Sequence, residues 1–334
     1  MFFKKKMLVI FICLTILLIF SMLISLWIGT TSISIFDIKH LFAVRKDINL
    51  ERTIFYIRLP RVVMAVITGA TLSVSGCVFQ SILKNPLADP FTLGISGGAA
   101  FGAAIAFVSG LFTVASAILV PLFALGGVLI SVFIVYLLSS YKNFDSNSMI
   151  LSGVVVSYIF SSLVMLLYVL APSQNVQAAL MWLMGNLSYV DINILPVVSI
   201  FAFIGVLLLT FYGNILNLIA LGGEKSKTVG VNINQTIKIL FAIASIMTAI
   251  TVSMCGVIGF VGLIIPHIMK KIVGVNNTVL IPACALSGAL FLLICDTVAR
   301  IIILPIQVPV GVVTSIIGGV FFICLFVRMK KETK

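Results

Sequence analysis

The sequence predicts an all-α, polytopic membrane protein with about ten transmembrane helices, built as one domain over residues 1–334. Three observations carry that prediction. Of the 334 residues 61% are apolar and only 9% are charged, whereas soluble domains hold about a quarter charged residues. Mean hydropathy is +1.29. The apolar residues also run continuously over stretches of about 20, the length of a membrane helix, and do not alternate as outer-membrane strands do.

Ten such stretches can be placed, near 7–29, 54–83, 92–110, 114–139, 148–170, 191–212, 234–254, 257–269, 278–298 and 309–328. The first follows Lys4, Lys5 and Lys6. It is too long for the apolar core of a signal peptide and no A-x-A-like cleavage site follows, so it reads as a retained span with its N-terminus inside. The eighth is short enough to be half-embedded, which makes nine crossings the rival count.

With the N-terminus inside, ten spans return the C-terminus to the cytoplasm, and the charges sort accordingly. Thirteen of the 15 lysines fall on cytoplasmic segments, including Lys84, Lys142, Lys225, Lys227, Lys238, Lys270 and Lys271, as the positive-inside rule requires. Five of the six arginines fall outside: Arg45, Arg52, Arg58, Arg61 and Arg300. Those five run against the rule. Snorkelling to lipid phosphates accounts for Arg45 and Arg52. Arg58, Arg61 and Arg300 stand at span edges, where a guanidinium fork suits carboxylates on a second protein; snorkelling or capping contacts within the loop are the competing accounts.

No acid is placed mid-span. Asp37, Asp47, Glu51, Asp191 and Asp296 read as lying at or beyond the outer edge, and Asp89, Asp145, Glu224 and Glu332 at the inner side. Ion-coupled transporters carry ionisable groups at the midplane, so this pattern argues against that class. A membrane-embedded enzyme lacks a constellation: two distant histidines, His40 and His267, and no intramembrane acid. No G-x-x-x-x-G-K-[ST] loop is present, so any use of ATP needs a separate subunit. The six cysteines lie in apolar stretches without metal spacing and read as small packing residues; no metal or cofactor site is expected.

Four stretches carry more specific signals. Gly94, Gly98 and Gly102 recur every four residues, a spacing that lets helix backbones approach closely; Gly126-Gly127 and Gly318-Gly319 read likewise. Asn85-Pro86-Leu87-Ala88-Asp89-Pro90 cannot continue a helix and is either a plain turn or a rigid gate at the cytoplasmic mouth. The loop 213–231 contains LGGEKSKTVGVN, either a solvated connection or a short amphipathic helix that enters a partner's cleft. The run GVIGFVGLIIPH, 256–267, is a glycine-rich helix entry whose histidine reads as a satisfied interfacial residue.

Taken together, RLPR at 58–61, NPLADPFTLGISGG at 85–98, LGGEKSKTVGV, GFVGLIIPH, the Asp296-x-x-x-Arg300 pair and VPVGVVTSIIGGVFF resemble the FecCD-type permeases over essentially the whole chain. These are membrane subunits of bacterial ABC importers for iron–siderophores, haem and cobalamin. The resemblance implies the type II ABC importer permease fold in the bacterial cell membrane. It implies a dimer of two permease subunits, identical or closely paralogous, two ATPase subunits below and an extracytoplasmic substrate-binding protein above. Hydrolysis would belong to the ATPase, and the cargo would be an iron chelate, an iron–siderophore first. Residue by residue, Arg58, Arg61 and Arg300 match arginines that meet acids of the binding protein. Gly222, Glu224, Lys225, Ser226, Lys227 and Gly230 match the segment that rests in the ATPase cleft. Asn85 and Leu87 match the cytoplasmic gate. Ser146 and Asn147 match a second constriction, although the wording around them departs from the family's. The family often has an acid before the last Pro-Val-Gly, near the place of Gln307 here.

Overall fold

The computed structural model describes residues 2–29, 52–110, 112–188, 191–221 and 232–332. Within them the chain forms twelve α-helices and no sheet. They are α1 (Phe2–Trp27), α2 (Leu59–Ile82), α3 (Ile95–Val108), α4 (Phe112–Ser140), α5 (Ser146–Leu170), α6 (Ser173–Leu183), α7 (Leu195–Phe211), α8 (Gly213–Leu221), α9 (Ile233–Cys255), α10 (Val261–Val273), α11 (Asn277–Ile301) and α12 (Val310–Glu332). All ten expected stretches contain a helix.

Length and composition alone qualify six of them to cross a membrane, or seven if α7 and α8, bent by 52° at their junction, form one span. For α3 and α10 the shortfall has a physical cause. The helix α3 has 14 residues, about 21 Å at the α-helical rise, and its span is completed by the 3₁₀ turn Pro90–Leu93. The eighth stretch is only partly helical. Residues 256–260 are non-helical, with φ of +74° at Gly256 and +70° at Phe260, and 13 helical residues follow in α10. Irregular backbone at this depth is tolerated where protein surrounds it. Here the Asn186 amide caps the Cys255 carbonyl at 2.8 Å, and the Trp182 carbonyl lies so close to Gly256 that a Cβ there would be 2.1 Å away. The α6 helix, which supplies Trp182, was not among the expected segments.

The second helix is the axis of the bundle, the most buried of the candidate spans, whereas α1 is the least. It packs on α11, α9, α10 and α7. Two glycine contacts bring backbones together without intervening side chains. A Cβ on Gly69 would lie 2.2 Å from the Gly288 carbonyl oxygen in α11, and one on Gly76 would lie 2.0 Å from that of Gly262 in α10. Such contacts supply dispersion attraction where lipid removes the hydrophobic drive between helices.

The ladder expected from Gly94, Gly98 and Gly102 divides. Gly98 and Gly102 lie on α4, facing the backbones of Gly127 and Phe123. Gly94 is not on the helix face: it precedes α3 at φ +86°, where only glycine is unstrained, and its carbonyl accepts from the Ser131 hydroxyl at 2.7 Å. Gly127 and Gly318 are closely packed, but nothing lies within 4 Å of a Cβ on Gly126 or Gly319. These differences generate a paired prediction. Gly76→Leu forces α2 and α10 apart and lowers the detergent melting temperature, at an overpacking cost of about 1–3 kcal/mol or more. Gly126→Ala leaves melting within experimental error.

Candidate functional site: the two ends of the bundle

At the end of the bundle where α2 begins, three arginines and one aspartate form a buried cluster. Arg61 presents its fork to Asp296, with Nε at 2.9 Å and 3.2 Å from the two carboxylate oxygens and Nη2 at 2.9 Å. Its Nη1 donates to Ser188 Oγ and Gln307 Oε1, each at 2.6 Å. Arg300, one helical turn after Asp296, pairs with the same carboxylate at 3.2 Å. Arg300 also donates to the Ser25 and Ile28 carbonyls at 3.1 Å and 3.2 Å and to the Ser25 hydroxyl. Arg58 Nη1 donates to the Leu26 and Trp27 carbonyls.

The arrangement follows from what helix ends leave open. The last carbonyls of α1 have no intrahelical donor and carry the negative end of the helix dipole; Arg58 and Arg300 satisfy both needs. Asp296 counters two guanidiniums, and the remaining donors reach neutral oxygens. Gln307, near the place where the family often has an acid, acts as one of those neutral acceptors.

Asp296 lies inside α11, near its C-terminus at this end of the bundle, and is wholly buried. Arg58, Arg61 and Arg300 do not stand as free forks, being 4%, 6% and 3% exposed with their guanidiniums turned inward. The one-dimensional charge map did not show that a carboxylate 235 positions away closes on Arg61.

The opposite end carries the lysines and the turn after α2. Asn85 Oδ1 accepts from the Leu87 amide at 2.9 Å, which fixes the turn; Asn85 is half-buried and Leu87 is 58% exposed. Asp89 is buried. Its backbone amide and carbonyl meet the Thr92 hydroxyl at 3.4 Å and 2.7 Å, starting the 3₁₀ turn that packs on α5. A Cβ on Gly153 of α5 would be 2.3 Å from the Thr92 carbonyl. Ser146 and Asn147, the start of α5, lie two turns from that contact, capped by Asp145, which accepts from the Asn147 and Ser148 amides. The structure thus brings Asn85, Leu87, Ser146 and Asn147 to one end of the bundle and joins them through the 3₁₀ turn. Burial raises the Asp89 carboxyl from its ordinary 3.8 to about 7, against a smaller opposing effect of the hydrogen bond with the Phe91 backbone.

Residues Gly222, Glu224, Lys225, Ser226, Lys227 and Gly230 lie outside the described residues. The helix that leads to them is anchored: Asn217 of α8 donates to Asn276 Oδ1 and accepts from the Asn277 amide, each at 2.7 Å. His267 Nε2 is buried without a hydrogen-bond partner, and its ring meets Phe321 edge-on, so the expectation of a satisfied histidine is not met. Among the described residues no group of three metal-ligating side chains is found.

Among the described residues, apolar helices long enough to cross a membrane carry polar clusters at the two ends of α2. The sequence profile of the FecCD transport family matches residues 17–328, and the chain belongs to that family as an ABC importer permease. It is 38% identical to the cobalamin import system permease protein BtuC of Halobacterium salinarum, covering 80% of this chain and 72% of that one. It is also 38% identical to the Fe(3+) dicitrate transport system permease protein FecD of Escherichia coli, covering 82% and 84%. A solved metal-chelate type ABC transporter in an inward-facing conformation superposes with a TM-score of 0.79 at 30% identity, over 98% of this chain and 99% of that one.

The buried cluster generates a stability prediction. Asp296→Asn leaves Arg61 and Arg300 buried without a counter-charge, a loss of about 3–5 kcal/mol by the behaviour of broken buried pairs. Melting of the purified protein should fall sharply. Gln307→Glu, which adds a second carboxylate beside Arg61, should leave melting unchanged or raise it.

Proposed function

We propose that this chain is the membrane-spanning subunit of a bacterial ATP-driven importer for an iron chelate, an iron–siderophore in particular. The observation that carries the reading is the whole-chain superposition on a metal-chelate type ABC transporter. The Fe(3+) dicitrate relative supports iron; the cobalamin relative, equally identical, supports a second reading in which the cargo is a corrinoid. The machinery is a dimer of permeases, two ATPase subunits on the lysine-rich cytoplasmic side and a binding protein on the arginine side, with both termini cytoplasmic. Docking and ATP binding each favour a different packing of the same helices, outward or inward.

In this reading the arginine rim is the docking edge. Its guanidiniums are engaged internally, so a carboxylate of the binding protein exchanges with the carbonyls of α1 or with Gln307. Arg58 is the residue on which to test it, because Arg61 and Arg300 hold Asp296. Arg58→Glu should weaken binding-protein affinity at least tenfold (about 1.4 kcal/mol), with recovery by an acid-to-arginine change in the binding protein. Unchanged affinity refutes docking at this edge. Residues 222–230 act as the contact with the ATPase, and Asn85, Leu87, Ser146 and Asn147 as the inner gate. Replacing 224–230 by a Gly/Ser linker should uncouple ATP hydrolysis from uptake in proteoliposomes while leaving the dimer assembled. Uptake that needs ATP and survives an ionophore supports the importer; uptake that collapses with the ionophore while ATP remains supports an ion-coupled carrier. The cargo is read by identifying the molecule carried by the purified cognate binding protein.

A further inference from the structure

The backbone of the buried acid on the turn after α2 starts the 3₁₀ turn, and its carboxyl meets the Phe91 backbone, but one carboxyl oxygen is left over. Asp89 Oδ1 is buried without a hydrogen-bond partner. It lies against Gly262, where a Cβ would be 2.8 Å from that oxygen. The Gly262 carbonyl accepts from Gln80 Nε2 at 3.3 Å, as does that of Leu263, and Gln80 Oε1 accepts from Lys270 Nζ at 2.8 Å. The lysine on α10 is therefore held by a neutral amide from α2, while the acid packed on the same backbone is held by no cation.

The charged and titratable groups on the packed elements leave this acid alone. On α2, Gln80 is neutral, and Lys84 just beyond it is exposed. On α10, Lys270 is engaged by Gln80, Lys271 is exposed and His267 faces Phe321 of α12. On α5, Asp145 caps its own helix, and on α9 Lys238 lies 5.3 Å over the Phe144 ring. The 3₁₀ turn contributes no charged side chain.

A carboxylate buried with one oxygen unserved carries a large desolvation cost, which a neutral carboxyl avoids. Gly262 matters as well: any side chain there would meet the Asp89 oxygen and the Pro90 ring, so the turn seats directly on the α10 backbone. We propose that Asp89 is a proton-operated latch on the turn 85–90: neutral, it lets the turn sit on α10; ionised, with its proton given up to water, it drives the turn off α10 towards solvent. The shifted carboxyl, near 7, puts the change within the range of a cell interior. The sign follows from linkage. A raised folded value means the seated form holds the proton more tightly, so its stabilisation is complete below 3.8 and is lost as pH rises through about 7. The consequence for transport rests on reading this turn as the inner gate; the latch itself does not.

The experiment reads the turn directly. Ala88→Cys, at a site 2% exposed while the turn is seated, is made in a Cys13→Ser, Cys324→Ser background, since the other four cysteines are buried, and the protein in lipid nanodiscs is labelled with a charged maleimide. Labelling is expressed relative to Tyr141→Cys, an exposed site on the turn between α4 and α5, which cancels titration of the thiol. The ratio should rise by up to about tenfold from about pH 6 to about pH 8, the change in ionised fraction from one unit below a midpoint to one unit above it. Asp89→Asn should be flat and slow, and Asp89→Glu should keep a rise. A flat ratio with Asp89 present, or the same rise in Asp89→Asn, overturns the latch. Should Asp89→Asn fail to fold, hydrogen exchange of residues 83–94 in the unaltered protein, corrected for intrinsic pH dependence, decides the matter. Protection that falls as pH rises supports the latch, and protection that does not fall overturns it. Uptake by the complete transporter is measured separately. A pH-dependent turn with pH-independent uptake keeps the latch and removes the gate reading.

Discussion

The structure depends on α2 being packed along its whole length without side chains in the way. In a bilayer, lipid tails compete equally for apolar surface, so helices associate by close contact. The Gly69–Gly288 and Gly76–Gly262 approaches provide that contact with α11 and α10. Because α2 is held in this way, its two ends are held too. One end presents Arg61 to the Asp296 carboxylate; the other presents Gln80 to the backbone of α10 and leads into the gate turn.

Those ends use charge in opposite ways. At the first, one carboxylate is shared by two guanidiniums, and the excess positive charge falls on the open carbonyls of α1. Each charge there faces an opposite charge or carbonyls, although Arg300 Nε makes no hydrogen bond beyond its ion pair with Asp296, and the least buried helix is fastened by its C-terminus to the most buried. At the second, Lys270 is satisfied by an amide and Asp89 is left with an unserved oxygen. The first arrangement resists change, because removing any member strands another in low dielectric. The second changes with a single proton.

Breaks in the helices fall where the protein encloses them. The non-helical run 256–260 is covered by α6 and by the start of α12, whose Gly311 lies against the Val257 carbonyl. The bend between α7 and α8 is set beside the start of α11, where a Cβ on Gly213 would be 2.9 Å from Thr278. From there α8 carries the chain toward the segment proposed to meet the ATPase.

Class, helix positions and family were legible in the sequence because each rests on local signals: apolar stretches of bilayer length, prolines and glycines that end them, and motif wording in order. That Arg58, Arg61 and Arg300 lie at the opposite end from Asn85, Leu87, Ser146 and Asn147 was also legible, since lysine placement orders the connections along the chain. Which way a side chain faces was not. The arginines read as outward forks until α11 brought Asp296 beside Arg61, Gly94 read as a packing residue until its φ made it a cap, and α6 carried too weak an apolar signal to be placed. Each depends on residues far apart in the chain, and periodicity holds no information about such pairs. The sequence alone therefore determined a helical membrane permease of a particular family. Only the tertiary structure decided that its charged groups are buried partners of one another, because only packing sets which charges lose their water together.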